Sequence, residues 1–83
     1  SNAKVSQDII SMMRKRMVIK YRTIPIQKTA TSITLATYDP SVKEYADEIK
    51  KNLNKQVEII LTNLKSWKKL YGSVVETVDE LLD

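Results

Sequence analysis

The chain has 83 residues, of which 42% are apolar and 29% charged, with no cysteine, no histidine and one glycine. This length permits one small domain, and the missing residue types exclude thiol and imidazole nucleophiles, common zinc sites and glycine-rich phosphate loops. The net charge of +4 is unevenly distributed: cations dominate the first third of the chain, and all the charged residues after residue 72 are acidic. This distribution could steer an acidic partner to the N-terminal part.

The first predicted element is a helix. Ser1-Asn2-Ala3 resembles the remnant of a cleaved affinity tag, so residues 4–83 form the predicted domain, which we expect to belong to a longer protein. Between Val5 and Tyr21 the apolar residues Ile9, Met13 and Met17 recur at helical spacing. This spacing predicts one helix over the whole segment.

Two strands follow and are close enough to pair as a hairpin. The run from Thr23 to Gln27 contains Pro25, which cannot donate to a sheet ladder, so this strand should lie at a sheet edge or begin at the proline. From Ser32 to Tyr38 polar and apolar residues alternate, with β-branched residues enriched. That alternation is typical of a strand.

The next elements are a helix and a third strand. Ser41 and Glu44 fit a capping box, and one face of the helix that follows is apolar: Val42, Tyr45, Ala46, Ile49 and Leu53. Val57, Ile59 and Leu61 then alternate with Glu58, although Ile60 is harder to place. A strand, a helix and a further strand favour a parallel pair with a right-handed crossover.

The C-terminal part is predicted to be helical. Thr62 or Asn63 can cap a helix that carries Leu64, Trp67, Leu70 and Tyr71. Gly72 either ends this helix or lies within it, and Ser73 with Glu76 offers a second capping box. The predicted fold is therefore α+β, in the order α-β-β-α-β-α, with a small three-stranded mixed sheet covered by helices.

We predict no catalytic residue, no metal and no cofactor. Glu44, Asp47 and Glu48 do cluster, but they lie on a lysine-rich helix face, where solvent would leave them without the burial that acid and base catalysis needs. No apolar run approaches the roughly 20 residues that span a bilayer. With no cysteine available for disulfides, the composition fits the cytoplasm.

A basic strip is the sharpest electrostatic feature of the sequence. It is either a solvated face, a surface for protein docking, a phosphate-binding strip for nucleic acid or a strip that lies on a membrane surface. Its candidate contact residues are Arg14, Arg16, Lys20 and Arg22. Nucleic acid is disfavoured because the chain has no phenylalanine and only Tyr38 is an aromatic residue in a predicted strand. Trp67 is expected to pack in the core, with an exposed partner contact as the alternative.

From Tyr21 to about Tyr71 the chain resembles the N-terminal domain of type II secretion and type IV pilus assembly ATPases. The resemblance rests on a basic residue and tyrosine before an Ile-Pro-Ile strand, on a strand closed by alanine, two residues and Asp-Pro, and on a helix that ends in Leu-Tyr. The matching residues are Lys20-Tyr21, Ile24-Pro25-Ile26, Ala36, Asp39-Pro40 and Leu70-Tyr71. It implies a family-like core over about residues 20–72, and residues 73–83 would be a helical extension.

The resemblance implies a non-catalytic cytoplasmic module that docks an ATPase to other components of a secretion or pilus machine, or to another domain of its own chain. Some relatives bind cyclic di-GMP through paired Arg-Leu-Gly motifs. This chain has no Arg-Leu-Gly, so that ligand is not carried over, although a cyclic dinucleotide-responsive module and a small basic nucleic-acid-binding domain stay open as alternatives.

Overall fold

The computed structural model describes residue 9 and residues 13–72, which form an α+β fold around a three-stranded sheet. In chain order the elements are helix α1, strands β1 and β2, a 3-10 helix, helix α2, strand β3 and helix α3. Their bounds are Lys15–Tyr21, Thr23–Lys28, Ser32–Thr37, Pro40–Tyr45, Ala46–Leu53, Gln56–Leu61 and 64–72. The predicted fold class and element order are confirmed.

Strand β2 lies at the centre of the sheet, between β1 and β3. β1 runs antiparallel to β2, with Thr23 opposite Thr37. β3 runs parallel to β2, with Gln56 opposite Ser32. Parallel neighbours need a crossover connection, which the 3-10 helix and α2 supply. The sheet therefore combines the predicted hairpin with the predicted crossover.

Strand β1 occupies one edge of the sheet, as the proline within it predicted. Pro25 pairs with Leu35, whereas Gln27 pairs with Thr34, so Ile26 is the extra residue of a β-bulge. A proline and a bulge both interrupt the hydrogen-bonding edge of a strand. The β1 edge is therefore poorly suited to accept a further strand.

The core joins buried side chains from every described element except β3, whose half-buried Val57 and Ile59 pack against it. Val42 and Ile49, predicted on the apolar face of the crossover, are fully buried, and each such side chain contributes about 1.5 to 3 kcal/mol. The buried cluster consists of Met13, Val18, Tyr21, Ile24, Ile33, Leu35, Val42, Ile49 and Trp67. The central strand supplies Ile33 and Leu35, so the core is centred on the sheet.

The prediction of one continuous helix from Val5 to Tyr21 is wrong. Ile9 is helical, but Met13 and Arg14 are not, and α1 begins at Lys15. Arg14 is extended, with φ −70° and ψ 149°. The side chain of Met13 is buried and accepts a hydrogen bond from Thr23 Oγ1 at 3.7 Å. Periodicity alone did not reveal this break, because the buried Met13 keeps the spacing that a helix would give it.

The predicted capping box of Ser41 and Glu44 is also wrong. Asp39 is the cap: its Oδ1 accepts hydrogen bonds from the Ser41 amide at 3.0 Å and from Ser41 Oγ at 2.8 Å. Pro40 then occupies the first turn, where its missing N–H costs nothing. The segment opens as a 3-10 helix and becomes α-helical only at Ala46. Tyr45, expected on the apolar face, is 45% exposed.

The predictions for the ends of β3 and α3 are confirmed only in part. Asn63 caps α3, because its side-chain oxygen accepts a hydrogen bond from the Ser66 amide at 2.8 Å. Gly72 is still helical. Leu61, predicted to alternate inward, is 50% exposed at the end of its edge strand. The tag remnant, the start of the first predicted helix, and the capping box of Ser73 and Glu76 lie outside the described residues.

Candidate functional site

Helix α1 presents part of the basic strip to solvent. Arg16, Ile19 and Lys20 are three and four residues apart, a spacing that makes them neighbours on one helix face. All three are exposed, and Ile19 exposes 52% of its surface although it is apolar. Arg14 precedes the helix and is exposed as well. The result is an apolar side chain flanked by cations, which we call the α1 face.

Lys20 is held in place by a small polar cluster between α1 and α2. Its Nζ lies 3.6 Å from Glu48 Oε2 and 5.1 Å from the centre of the Tyr21 ring. Tyr21 donates its hydroxyl hydrogen to Glu48, and Asn52 donates to the Tyr21 oxygen at 3.4 Å. Most of the Lys20 side chain, 65%, still faces solvent. The cluster therefore orients this cation without burying it.

The cluster also fixes the charge states of its members. The hydrogen bond between Tyr21 and Glu48 lowers the pKa of the Glu48 carboxyl and raises the pKa of the Tyr21 hydroxyl. The pKa of Lys20 is raised, first through its interaction with Tyr21 and then through Glu48. Each shift favours the form already present near neutral pH. Lys20 is thus a permanent positive charge on the α1 face.

Arg22 belongs to a different environment from the rest of the basic strip. It ends α1 in the left-handed conformation, with φ 53°, and its Nε donates to Asp39 Oδ2 at 2.9 Å. Hydrogen bonds from Ser41 and the Arg22 guanidinium hold the pKa of the Asp39 carboxyl below its usual value. Arg22 is only half-buried. The structure therefore joins Arg16 and Lys20 on one face and directs Arg22 towards the corner between β2 and the 3-10 helix.

Trp67 anchors α3 to the sheet. It is 7% exposed, and its indole Nε1 donates to the Ala36 carbonyl at 3.1 Å. The indole ring contacts the edge of Tyr38 at 5.0 Å between ring centres and stacks on Tyr71 at 5.1 Å. The expectation that Trp67 packs in the core is confirmed. Its alternative role as a partner contact stays a prediction.

The sequence analysis did not find a basic groove at the other end of the crossover. The groove has a volume of about 550 Å³ and lies where the β1–β2 turn meets the end of α2 and the start of β3. Its lining residues are Ala30, Thr31, Lys50, Lys51, Asn54, Lys55 and Gln56. Lys55 Nζ donates to the Ala30 carbonyl at 3.3 Å. In the sequence, the only sign of this groove is the group Lys50, Lys51 and Lys55 around the end of α2. The fold then brings the β1–β2 turn next to these lysines.

Residue 9 and residues 13–72 include no group of three or more histidine, cysteine, aspartate or glutamate side chains that could hold a metal ion. None of the helices in this part of the chain is both long and apolar enough to cross a bilayer. What these residues offer to other molecules is charge, hydrogen-bond donors and a few exposed apolar side chains.

The mixed sheet, its crossover and its charged surface define a small α+β domain. Comparison with known families places it more closely, because residues 1–79 match the model of the MshEN domain. The chain belongs to this family, the N-terminal domain of MshE/GspE-type secretion and pilus ATPases. The resemblance drawn from residues 21–71 is confirmed. No curated protein matches the chain.

Proposed function

We propose that this domain is a non-catalytic, cytoplasmic docking module, which joins a secretion or pilus ATPase to an acidic surface. That surface belongs to another component of the machine, such as its inner-membrane platform, or to another domain of the parent chain. Membership of the MshEN family supports the setting. The net charge of +4 supports an acidic partner.

The observation that carries the proposal is the α1 face. Protein interfaces commonly place an apolar centre inside a polar rim, and arginine is enriched in them. Ile19 provides an exposed apolar side chain, with Arg16 and Lys20 beside it on the helix and Arg14 just before it. Because Lys20 is oriented by Glu48 and Tyr21, part of this surface is ordered before a partner arrives.

The proposal is tested by reversing the charge of the α1 face. The tagged wild-type domain and the variant Arg16→Glu/Lys20→Glu are incubated with solubilised membranes of the source cell, and the retained proteins are identified by mass spectrometry. We expect the wild type to retain an inner-membrane component of the secretion or pilus machine. The variant should bind it about ten- to a hundredfold more weakly, because rim charges act mainly on the association rate.

A matched control uses two exposed lysines on another helix. Lys65 and Lys68 are three residues apart on α3 and are both exposed, so Lys65→Glu/Lys68→Glu changes the net charge by the same amount. Binding should survive in this control. Equal retention of the component by the wild type and the α1 variant would remove Arg16 and Lys20 from the contact.

A second candidate is the binding of an anionic nucleotide messenger in the basic groove. Lys50, Lys51 and Lys55 line the groove with Thr31 and Asn54, and no carboxylate is among the lining residues. The absence of Arg-Leu-Gly from the sequence means that the paired motifs of some relatives do not supply this site. Calorimetry with cyclic di-GMP tests it: binding heat that Lys50→Ala/Lys51→Ala abolishes supports the groove, and no heat dismisses it.

Binding of nucleic acid can be distinguished from protein docking by the salt dependence of the affinity. A phosphate-binding surface should bind an unselected oligonucleotide, with affinity that falls steeply as salt increases. Fluorescence anisotropy that stays flat at low salt would dismiss this reading and leave the docking module.

A further inference from the structure

The two edges of the sheet are built differently. At one edge, β1 contains Pro25 and the bulge at Ile26, which interrupt its outer hydrogen-bonding groups. At the other edge, β3 contains no proline, and its six residues pair with β2 without any shift of register. Among the described residues, β3 has no neighbour on its outer side. Within the described part of the chain, β3 is therefore a regular strand with an open edge.

The backbone groups that face outward can be assigned from the ladder. The Gln56 amide donates to the Thr31 carbonyl at 3.0 Å, and the Thr62 amide donates to the Thr37 carbonyl at 2.8 Å. Since backbone groups alternate in direction along a strand, the even-numbered residues between them also face β2. The N–H and C=O groups of residues 57, 59 and 61 consequently point to the open edge.

The side chains at this edge include exposed apolar groups. Ile60 is 39% exposed and Leu61 is 50% exposed. Glu58 is the one charged residue of the strand. An open, regular and apolar edge is the form that accepts another strand.

We propose that β3 pairs antiparallel with β3 of a second copy of this chain, about a two-fold axis at Ile59. In this register Ile59 lies opposite Ile59 of the other copy, and Val57 lies opposite Leu61 of the other copy. Every outward-facing backbone N–H and C=O group of the strand is then hydrogen-bonded. Glu58 faces Ile60 of the other copy. The two three-stranded sheets become one continuous six-stranded sheet.

The occupant is a second copy because the strand is complementary to itself in this register. Apolar residues oppose apolar residues on one face of the sheet, and no two like charges meet. Moving the axis by one residue to Glu58 would place two carboxylates directly opposite each other, which destabilises a strand pair. The charge of Glu58 therefore disfavours the register centred one residue earlier, and the apolar pairs favour the axis at Ile59.

The first measurement is the oligomeric state of the whole chain by sedimentation equilibrium, up to about 1 mM so that a millimolar complex is populated. The average mass should rise with concentration from the 9.5 kDa of one chain towards twice that value. Leu61→Lys, which places an ammonium group opposite Val57 of the other copy, should hold the mass near that of one chain. A wild type that stays monomeric at every concentration overturns the proposal.

A matched control separates the β3 edge from a general loss of apolar surface. Ile19 is 52% exposed, close to the 50% of Leu61, and lies on α1. Ile19→Lys should leave dimerisation unchanged, and equal dimerisation of Leu61→Lys and the wild type contradicts the proposal. Conversely, Leu61→Lys leaves Arg16 and Lys20 intact, so failure of dimerisation and failure of docking are distinguishable.

Amide hydrogen exchange tests the register itself. The amides of Val57, Ile59 and Leu61 should become protected as concentration rises, whereas those of Glu58 and Ile60, already bonded to β2, should change little. If the chain dimerises but these three amides exchange at a rate that does not depend on concentration, the dimer has formed through another surface. That result would exclude the β3 pairing.

Discussion

Replacement of Trp67 by phenylalanine tests how α3 is attached to the sheet. The indole of Trp67 reaches from α3 to the backbone of the central strand, where it donates to the Ala36 carbonyl, and it lies between the rings of Tyr38 and Tyr71. Phenylalanine keeps an aromatic ring at this position but cannot donate a hydrogen bond. The substitution therefore removes the polar attachment and part of the buried surface.

The expected loss is about 2 kcal/mol of unfolding free energy. A buried hydrogen bond contributes about 1 kcal/mol net. The smaller ring buries roughly 40 Å² less apolar surface, which at about 25 cal/mol per Å² adds about 1 kcal/mol. For a domain of 60 to 100 residues, each kcal/mol lowers the melting temperature by about 4 to 8 °C. The melting temperature of Trp67→Phe should thus fall by about 8 to 16 °C.

The measurement is urea and thermal unfolding followed by far-ultraviolet circular dichroism, because Trp67 is the only tryptophan of the chain and its fluorescence is lost in the variant. Tyr71→Phe serves as the control, since it keeps the stacked ring and should change stability by less than about 0.5 kcal/mol. If Trp67→Phe unfolds at the same denaturant concentration as the wild type, the indole does not hold α3 on the sheet and the reasoning fails.

Three further predictions concern the polar contacts and the backbone. The pKa of Asp39 is lower in the folded state than in the unfolded state, so the ionised carboxylate stabilises the fold above the ordinary carboxyl pKa, and this stabilisation is lost as pH falls through the pKa of the folded state. The difference in urea stability between the wild type and Asp39→Asn should therefore shrink below about pH 4. A difference that stays constant with pH contradicts this prediction. Tyr21→Phe removes the hydrogen bond to Glu48 and should lower the free energy of chemical unfolding by about 1 kcal/mol, and an unchanged unfolding midpoint would contradict this contribution. Asn54 ends α2 with φ 54°, so Asn54→Gly should unfold at or slightly above the wild-type temperature, while Asn54→Val should lose about 1 to 2 kcal/mol; equal behaviour of the two would refute the left-handed conformation.

The strands and their order could be predicted from sequence because their signals are local. The alternation around Leu35 predicted the second strand, and Pro25 predicted that the first strand either lies at an edge or begins at the proline. The structure shows the edge position. The crossover helix was predicted from the spacing of Val42 and Ile49, both of which are fully buried. Residue spacing also predicted α3, and of the two candidate caps, Thr62 and Asn63, the structure shows Asn63.

The candidate surface was predicted only in part. Arg16 and Lys20 do share an exposed helix face, as helical spacing implies. Arg22, two residues beyond Lys20, was grouped with them because of its charge, but its guanidinium pairs with Asp39, 17 residues away in the chain. The exposure of Ile19 depends on which neighbours leave it uncovered, and residue spacing does not contain that information.

By itself the sequence determined the α+β class, the order of the elements and the excess of cations, because these depend on residue types and on their period along the chain. Only the tertiary structure decided where α1 begins, which residues line the basic groove and which sheet edge is regular and unpaired among the described residues. Each of these depends on contacts between distant residues, such as Thr23 with Met13 or Lys55 with Ala30. The free energy of such a contact is set by the three-dimensional packing of both partners, and no local pattern records it.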